Sequence, residues 1–130
     1  MRTKAQLWEQ IDTDAFISAY VEAIIFTEED RLNEDLGRDW QSDQFSIRAL
    51  RKIVNDCLSF IASAEQAGIQ VITASYNWGC AGHDFWFTRN QHGVGFWDRN
   101  HPSGDALTRL SDKFGEVCCY GSDTGKIELA

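Results

Sequence analysis

The period of the hydrophobic positions changes along the chain. In DTDAFISAYVEAIIF, Phe16, Ile17, Tyr20, Val21, Ile24 and Ile25 recur at the spacing of one helical face, and Asp12 to Asp14 offer N-caps. The next stretch, TEEDRLNEDLGRDWQSDQ (27–44), is polar and acidic and reads as a surface loop. Leu32, Leu36 and Trp40 stand at i, i+4 and i+8, which allows a short helical turn inside it. FSIRALRKIVNDCLSFIASAEQAG predicts a second helix capped by Ser46 and stopped by Gly68. Its apolar stripe would be Ile47, Leu50, Val54, Cys57, Leu58, Ile61 and Ala64.

Beyond Gly68 the pattern shortens. The run from Ile69 to Ile72 in IQVITASYNW suits the start of a strand, and NWGCAG (77–82) reads as a turn by its glycines. DFWFTR and GVGFWDR look like two strands joined by NQHG, with Asn90 and Gly93 as the residues for positive φ. NHPSGD (100–105) is a loop. ALTRLSDKFG predicts a short helix with Leu107, Leu110 and Phe114 on one face, and EVCCYGSDTGKIEL a hairpin around SDTG. The expectation is one α+β domain over 1–130. Its antiparallel β-sheet has hairpins near 84–99 and 116–129, with two N-terminal helices and one later short helix packed on it.

Composition supports one packed domain. The 130 residues are 43% hydrophobic and include five Trp and eight Phe, enough for a core without staples. No internal repeat or low-complexity tract stands out. MRTKAQLWEQIDTD does not read as a signal peptide, and no apolar run reaches the roughly 18 residues of a membrane span, so the expected location is the cytoplasm. Cys57, Cys80, Cys118 and Cys119 are then expected as reduced thiols, mainly small packing residues.

Charge adds a direction. The net charge of −8 is concentrated in residues 1–45, where eleven acidic residues face four basic ones. That balance argues against direct phosphate or nucleic-acid binding and suits attraction to a basic partner surface.

The chemistry-bearing residues gather in GHDFWFTRNQHGVGFWD, Gly82 to Asp98. His83, Asp84, His92 and Asp98 are legitimate metal ligands, yet no HExxH or paired CxxC orders them. Cys80 with His83 or His92 could form a thiol–imidazole pair, but no GxSxG elbow is present. GSDTGK lacks P-loop spacing because Ile127 stands where Ser or Thr belongs. No motif calls for a cofactor. If 84–99 is a hairpin, strand alternation splits its aromatics between two faces. One face packs in the core, and the other presents Trp86, Trp97 and neighbouring Arg and Asp residues, a composition suited to protein contact. Alternatively both faces are covered, and Trp, Arg and Asp make internal cation–π and ion-pair contacts.

GHDFWFTRNQHGVGFWDR closely resembles a signature of small proteins encoded by bacteriophages and mobile elements, which reads approximately GHDFWLTRNGHGAGFWDR. The likeness extends to FISAYVEAIIF, to the acidic segment after it and to the glycine turn before Lys126 and Ile127. Gln91 stands where the signature has Gly, Val94 where it has Ala, and the SDTGKIEL ending also departs from it. The resemblance implies a phage or mobile-element setting and transfers no catalytic residue.

Charge and setting together point to a non-enzymatic inhibitor of anti-CRISPR or anti-restriction type. Its expected partner is a host protein complex with a basic, nucleic-acid-binding surface. Glu28, Glu29, Asp30, Glu34 and Asp35 would supply attraction. Trp86, Arg89, Asn90, His92, Trp97, Asp98 and Arg99 would supply contacts. A second reading is metal-assisted hydrolysis at His83, Asp84, His92 and Asp98. A third is a structural or regulatory phage protein held together by the aromatic hairpin.

Overall fold

A computed structural model describes residues 11–36 and 44–130, with the side chains of all of these except Asp35 and Leu36. The described residues form four α-helices and one small hairpin. The helices are α1 (Thr13–Leu36), α2 (Ile47–Gln66), α3 (Trp78–Arg89) and α4 (Gly104–Asp112). A single 3₁₀ turn, Phe96–Asp98, lies between α3 and α4. The strands are β1 (Cys119–Gly121) and β2 (Ile127–Leu129), paired antiparallel with Cys119 opposite Leu129 and Gly121 opposite Ile127.

The α+β expectation is therefore overturned. Helices build the domain, and the two-stranded sheet is a minor appendage. The decisive difference lies in residues 84–99. DFWFTR is the body of helix α3, and GVGFWDR holds the 3₁₀ turn instead of a strand. NWGCAG is the start of that helix. Asn77 caps it, its Oδ1 accepting from the Cys80 backbone N–H at 2.9 Å. The run from Ile69 forms no named strand; Thr73 and Tyr76 close one isolated antiparallel bridge.

The acidic segment also differs. Helix α1 does not stop at Phe26 but continues to Leu36, with Leu32 fully buried. Glu and Arg are good helix formers, and the buried Leu32 anchors this end of the helix to the core. Asp12 starts α1 by accepting from the Ala15 N–H at 2.9 Å. Arg31 fastens its far end by donating to the Cys119 carbonyl of β1. Trp40 lies outside the described residues.

Helix α2 begins as the capping rule requires, with Ser46 Oγ accepting from the Ala49 N–H at 3.0 Å. It ends at Ala67, with Gly68 at φ 68°. Its core face is Ala49, Ile53, Cys57, Phe60, Ile61 and Ala64. Four residues of the expected stripe, Ile47, Leu50, Val54 and Leu58, instead lie exposed. Phe45 pairs in parallel with Ile127, joining the start of α2 to β2.

The core sits where α1 and α3 cross. Rings of Phe16, Tyr20, Phe60, Phe85 and Phe96 cluster there, with Phe16 against Phe60 and Phe85, and Tyr20 against Phe85. Phe60 stacks on Phe85 at 4.3 Å between centroids and on Phe96 at 5.7 Å. Gly82 makes the crossing possible, because a Cβ there would overlap the Phe16 carbonyl. In α4, Leu107 and Leu110 are buried and Phe114 follows half-buried. None of the four cysteines is joined in a disulfide, and their exposure is graded: Cys57 and Cys119 are buried, Cys80 is half-buried and Cys118 is exposed. No helix among the described residues is long and apolar enough to cross a membrane.

Candidate binding face and the cleft beside it

The signature segment is first of all a structural junction. The Trp86 indole is fully buried, and its Nε1 donates to Thr27 Oγ1 at 2.8 Å. Arg89 is buried as well, and all three nitrogens of its guanidinium donate. It donates to Asp56 Oδ2 at 2.7 Å, Tyr20 Oη at 3.1 Å, and the carbonyls of Gly115 and Phe114 at 2.9 and 3.1 Å. The guanidinium also lies over the Phe85 ring, 5.2 Å from its centroid. Burial pushes the Tyr20 hydroxyl well above its ordinary range, an effect Arg89 partly offsets.

Trp86 and Arg89 therefore do not belong to an exposed contact face. The expectation of one rested on strand alternation, which assigns every second residue outward. In the helix the outward row is Cys80, His83 and Phe87, at helical spacing, and Trp86 and Arg89 turn away from it into the core. Asn90 is also structural: its side chain donates to the Trp86 carbonyl at 3.1 Å and accepts from the Val117 N–H at 2.8 Å. Asp98 Oδ1 accepts from the Gly95 N–H at 3.1 Å and stands 3.7 Å from Arg99 Nε. His92, Trp97, Asp98 and Arg99 are exposed, and the His92 ring stacks at the edge of the core against Trp86.

Asp84 is the other buried charge of α3. Arg99 grips it through Nε, at 3.2 and 3.1 Å from its two oxygens, and through Nη2 at 2.8 Å. Tyr76 Oη donates to Asp84 Oδ2 at 2.6 Å. Burial, reinforced by the neighbouring carboxylate, pushes the Tyr76 hydroxyl far above its ordinary range. This triad floors an open cleft of about 770 Å³, walled by Cys80, His83, Asn100 and His101.

The geometry answers the metal expectation. Among the described residues, no group of three or more His, Cys, Asp or Glu side chains is placed to hold a metal ion. Asp84 is taken by Arg99 and Tyr76, Asp98 by the Gly95 turn, and His83 Nε2 sits 3.1 Å from Glu22 Oε2. His92 lies on the Trp86 side. His101 uses both ring nitrogens: Nδ1 accepts from the Ser103 N–H at 2.9 Å, so Nε2 is the donor to the Val71 carbonyl at 2.7 Å.

The acidic residues give an accessible surface. Glu22, Glu29, Asp30 and Glu34 are exposed on α1, while Glu28 is half-buried and pairs with Arg31 at 2.8 Å. The Asp35 side chain, with Glu9, Asp39 and Asp43, lies outside the described set. Within this acidic helix Phe26 is 80% exposed. It borders a shallow groove with Ala23, Phe87 and Val94, rimmed by Glu22 and His83. His83 and Phe87 line both the groove and the cleft, so the two concavities share a wall.

Sequence reasoning missed Phe26, Glu22, Phe87, Val94 and Tyr76 as site residues. Phe26 was detectable. Ile24, Ile25 and Phe26 are consecutive, and at 100° per residue three neighbours cannot all point into one core. No family model matches the chain, and neither a curated protein nor a solved structure matches it.

Proposed function

We propose that this chain acts without catalysis, by binding a host protein through the acidic outer face of α1. The partner is a nucleic-acid-handling complex with a basic surface, and the action is inhibition of anti-CRISPR or anti-restriction type inside the host cytoplasm. The observation that carries the reading is Phe26, 80% exposed between Glu22 and the pair Glu29 and Asp30. An aromatic anchor beside an apolar groove, flanked along its helix by carboxylates, has the composition of a contact hot spot. The exposed carboxylates raise the rate of encounter with a basic partner, and Phe26 with Val94 supplies apolar area once the two surfaces meet. The likeness to phage and mobile-element proteins supports the choice of target class. The open concavity at Asp84 supports no hydrolytic alternative, because its carboxylate is already neutralised by Arg99.

The test is affinity capture from a host lysate with the full chain and two variants, Phe26→Asp and Glu29→Lys/Asp30→Lys. All substituted side chains are exposed, so each variant should fold. A nucleic-acid-handling complex retained by the parent chain, lost with Phe26→Asp and weakened with the charge reversal is the expected result. Retention of the same complex by Phe26→Asp, or recovery of no such complex where it is expressed, overturns the reading.

A further inference from the structure

Helix α2 carries an exposed apolar row that borders the side it turns to the core. Ile47, Leu50, Val54 and Leu58 are 69, 45, 38 and 42% exposed. They stand at i, i+3, i+7 and i+11, a continuous row about 16 Å long. Ala49, Ile53, Phe60 and Ala64 meanwhile face the core. Apolar residues thus extend over about half of the circumference, a wider band than the core itself covers. Single exposed aliphatics are ordinary on a protein surface, but four in one row on one helix mark a contact surface.

Charge selects the occupant. Arg48 and Arg51 are exposed in the first turns of α2, and neither makes an ion pair among the described residues. Lys52 is already used, 3.1 Å from Asp56. The last turns carry one acidic residue, Glu65, which is also without an ion pair there. At 100° per residue, Arg48 and Arg51 lie on one flank of the aliphatic row, and Glu65 stands in line with Ile47 on the edge nearest that flank. We infer that a second copy of this chain covers this row, with the two α2 helices packed antiparallel about a two-fold axis between Val54 and Leu58.

That arrangement sets the basic end of each helix against the partner's Glu65, and symmetry makes every such contact twice. It also places the helix termini with opposite dipole ends together. A parallel pair would gather the Arg48 and Arg51 of both copies at one end and both Glu65 at the other. One helix face per copy is a small interface, and each copy carries a net charge of −8, so the dimer is a reversible one.

Sedimentation velocity of the full chain, from micromolar to sub-millimolar concentration at physiological salt, tests the inference. The expected result is a concentration-dependent monomer–dimer equilibrium. Val54→Glu should be monomeric throughout while keeping the circular dichroism spectrum of the parent. Glu65→Arg and Arg48→Glu/Arg51→Glu should each weaken the dimer several-fold, and the combination of the three should restore it. A chain that stays monomeric at every concentration, or a dimer that Val54→Glu leaves intact, overturns the inference. Loss of association by Val54→Glu without charge-swap rescue overturns the antiparallel arrangement.

Discussion

Trp86 Nε1 and Thr27 Oγ1, fifty-nine positions apart, are joined by a 2.8 Å hydrogen bond at the crossing of α3 and α1. Thr27 in turn donates to the Ala23 carbonyl at 2.9 Å, so the indole is tied into the backbone of α1. The bond fixes which side of α1 faces inward, and therefore that Phe26, one residue earlier, faces out.

Trp86→Ala should consequently act on folding. Losing a fully buried indole costs roughly 3–5 kcal/mol. Trp86→Phe keeps most of the apolar volume but leaves Thr27 without its donor, and should cost about 1–3 kcal/mol. Urea unfolding of both variants measures the difference. A Trp86→Ala chain as stable as the parent would mean that the indole is not in the core.

Gly82→Ala sets two effects against each other. In a helix interior Ala is better than Gly by about 1 kcal/mol. At Gly82 the new methyl would overlap the Phe16 carbonyl, and a backbone atom cannot rotate away. Overpacking of this kind costs about 1–3 kcal/mol, and the α1–α3 crossing must also open. The net expectation is destabilisation, read as a lower melting temperature.

Arg89→Lys should also destabilise, although the charge is kept. An ammonium cannot reach Asp56, Tyr20 and the carbonyls of Gly115 and Phe114 at once, as the guanidinium does. The two carbonyls lose their donor, at a cost of about 1–3 kcal/mol. Chemical denaturation gives the value directly, and an unchanged midpoint would refute the role of the planar fork.

Stability should fall on the alkaline side. Burial raises Tyr20 and Tyr76 above their ordinary 10.0 and Cys57 above its ordinary 9.0. Above those values the unfolded chain sheds protons that the folded chain still holds. The unfolded state then binds fewer protons, and the free energy of unfolding decreases as pH rises. The contribution is intact below about pH 9 and is lost progressively above it, at up to about 1.4 kcal/mol per pH unit for each group. Denaturation midpoints measured from pH 8 to 11 should show the decline, and Tyr76→Phe should make it shallower.

The helices were legible where one face is apolar and the other polar. The period that placed α1, α2 and α4 is that of half-covered helices. Helix α3 is enclosed almost all round, so Phe85, Trp86 and Phe87 fit a strand as well as a helix and the period carries no vote. Asn77, three residues before the Cys80 amide it caps, was the local signal for a helix. At the end of α3 the positive φ falls on Gln91, at 55°, and on Gly93; Asn90 stays at −104°. Glycine would adopt such a φ at position 91 at no steric cost. The candidate site was only half legible. Negative charge in Glu29, Asp30 and Glu34 can be read from composition. The exposure of Phe26 could be read from three consecutive apolar residues, but its place beside Phe87 and Val94 depends on how α3 and the turn after it pack against α1.

The uneven burial of the four thiols makes the molecule its own labelling scaffold. Maleimide dyes should attach first to exposed Cys118, one residue before the strand whose carbonyl at Cys119 receives Arg31. A fluorophore placed there without any mutation would report detachment of the terminal hairpin from α1. Its distance to the tryptophans of the core would change before the helices themselves come apart.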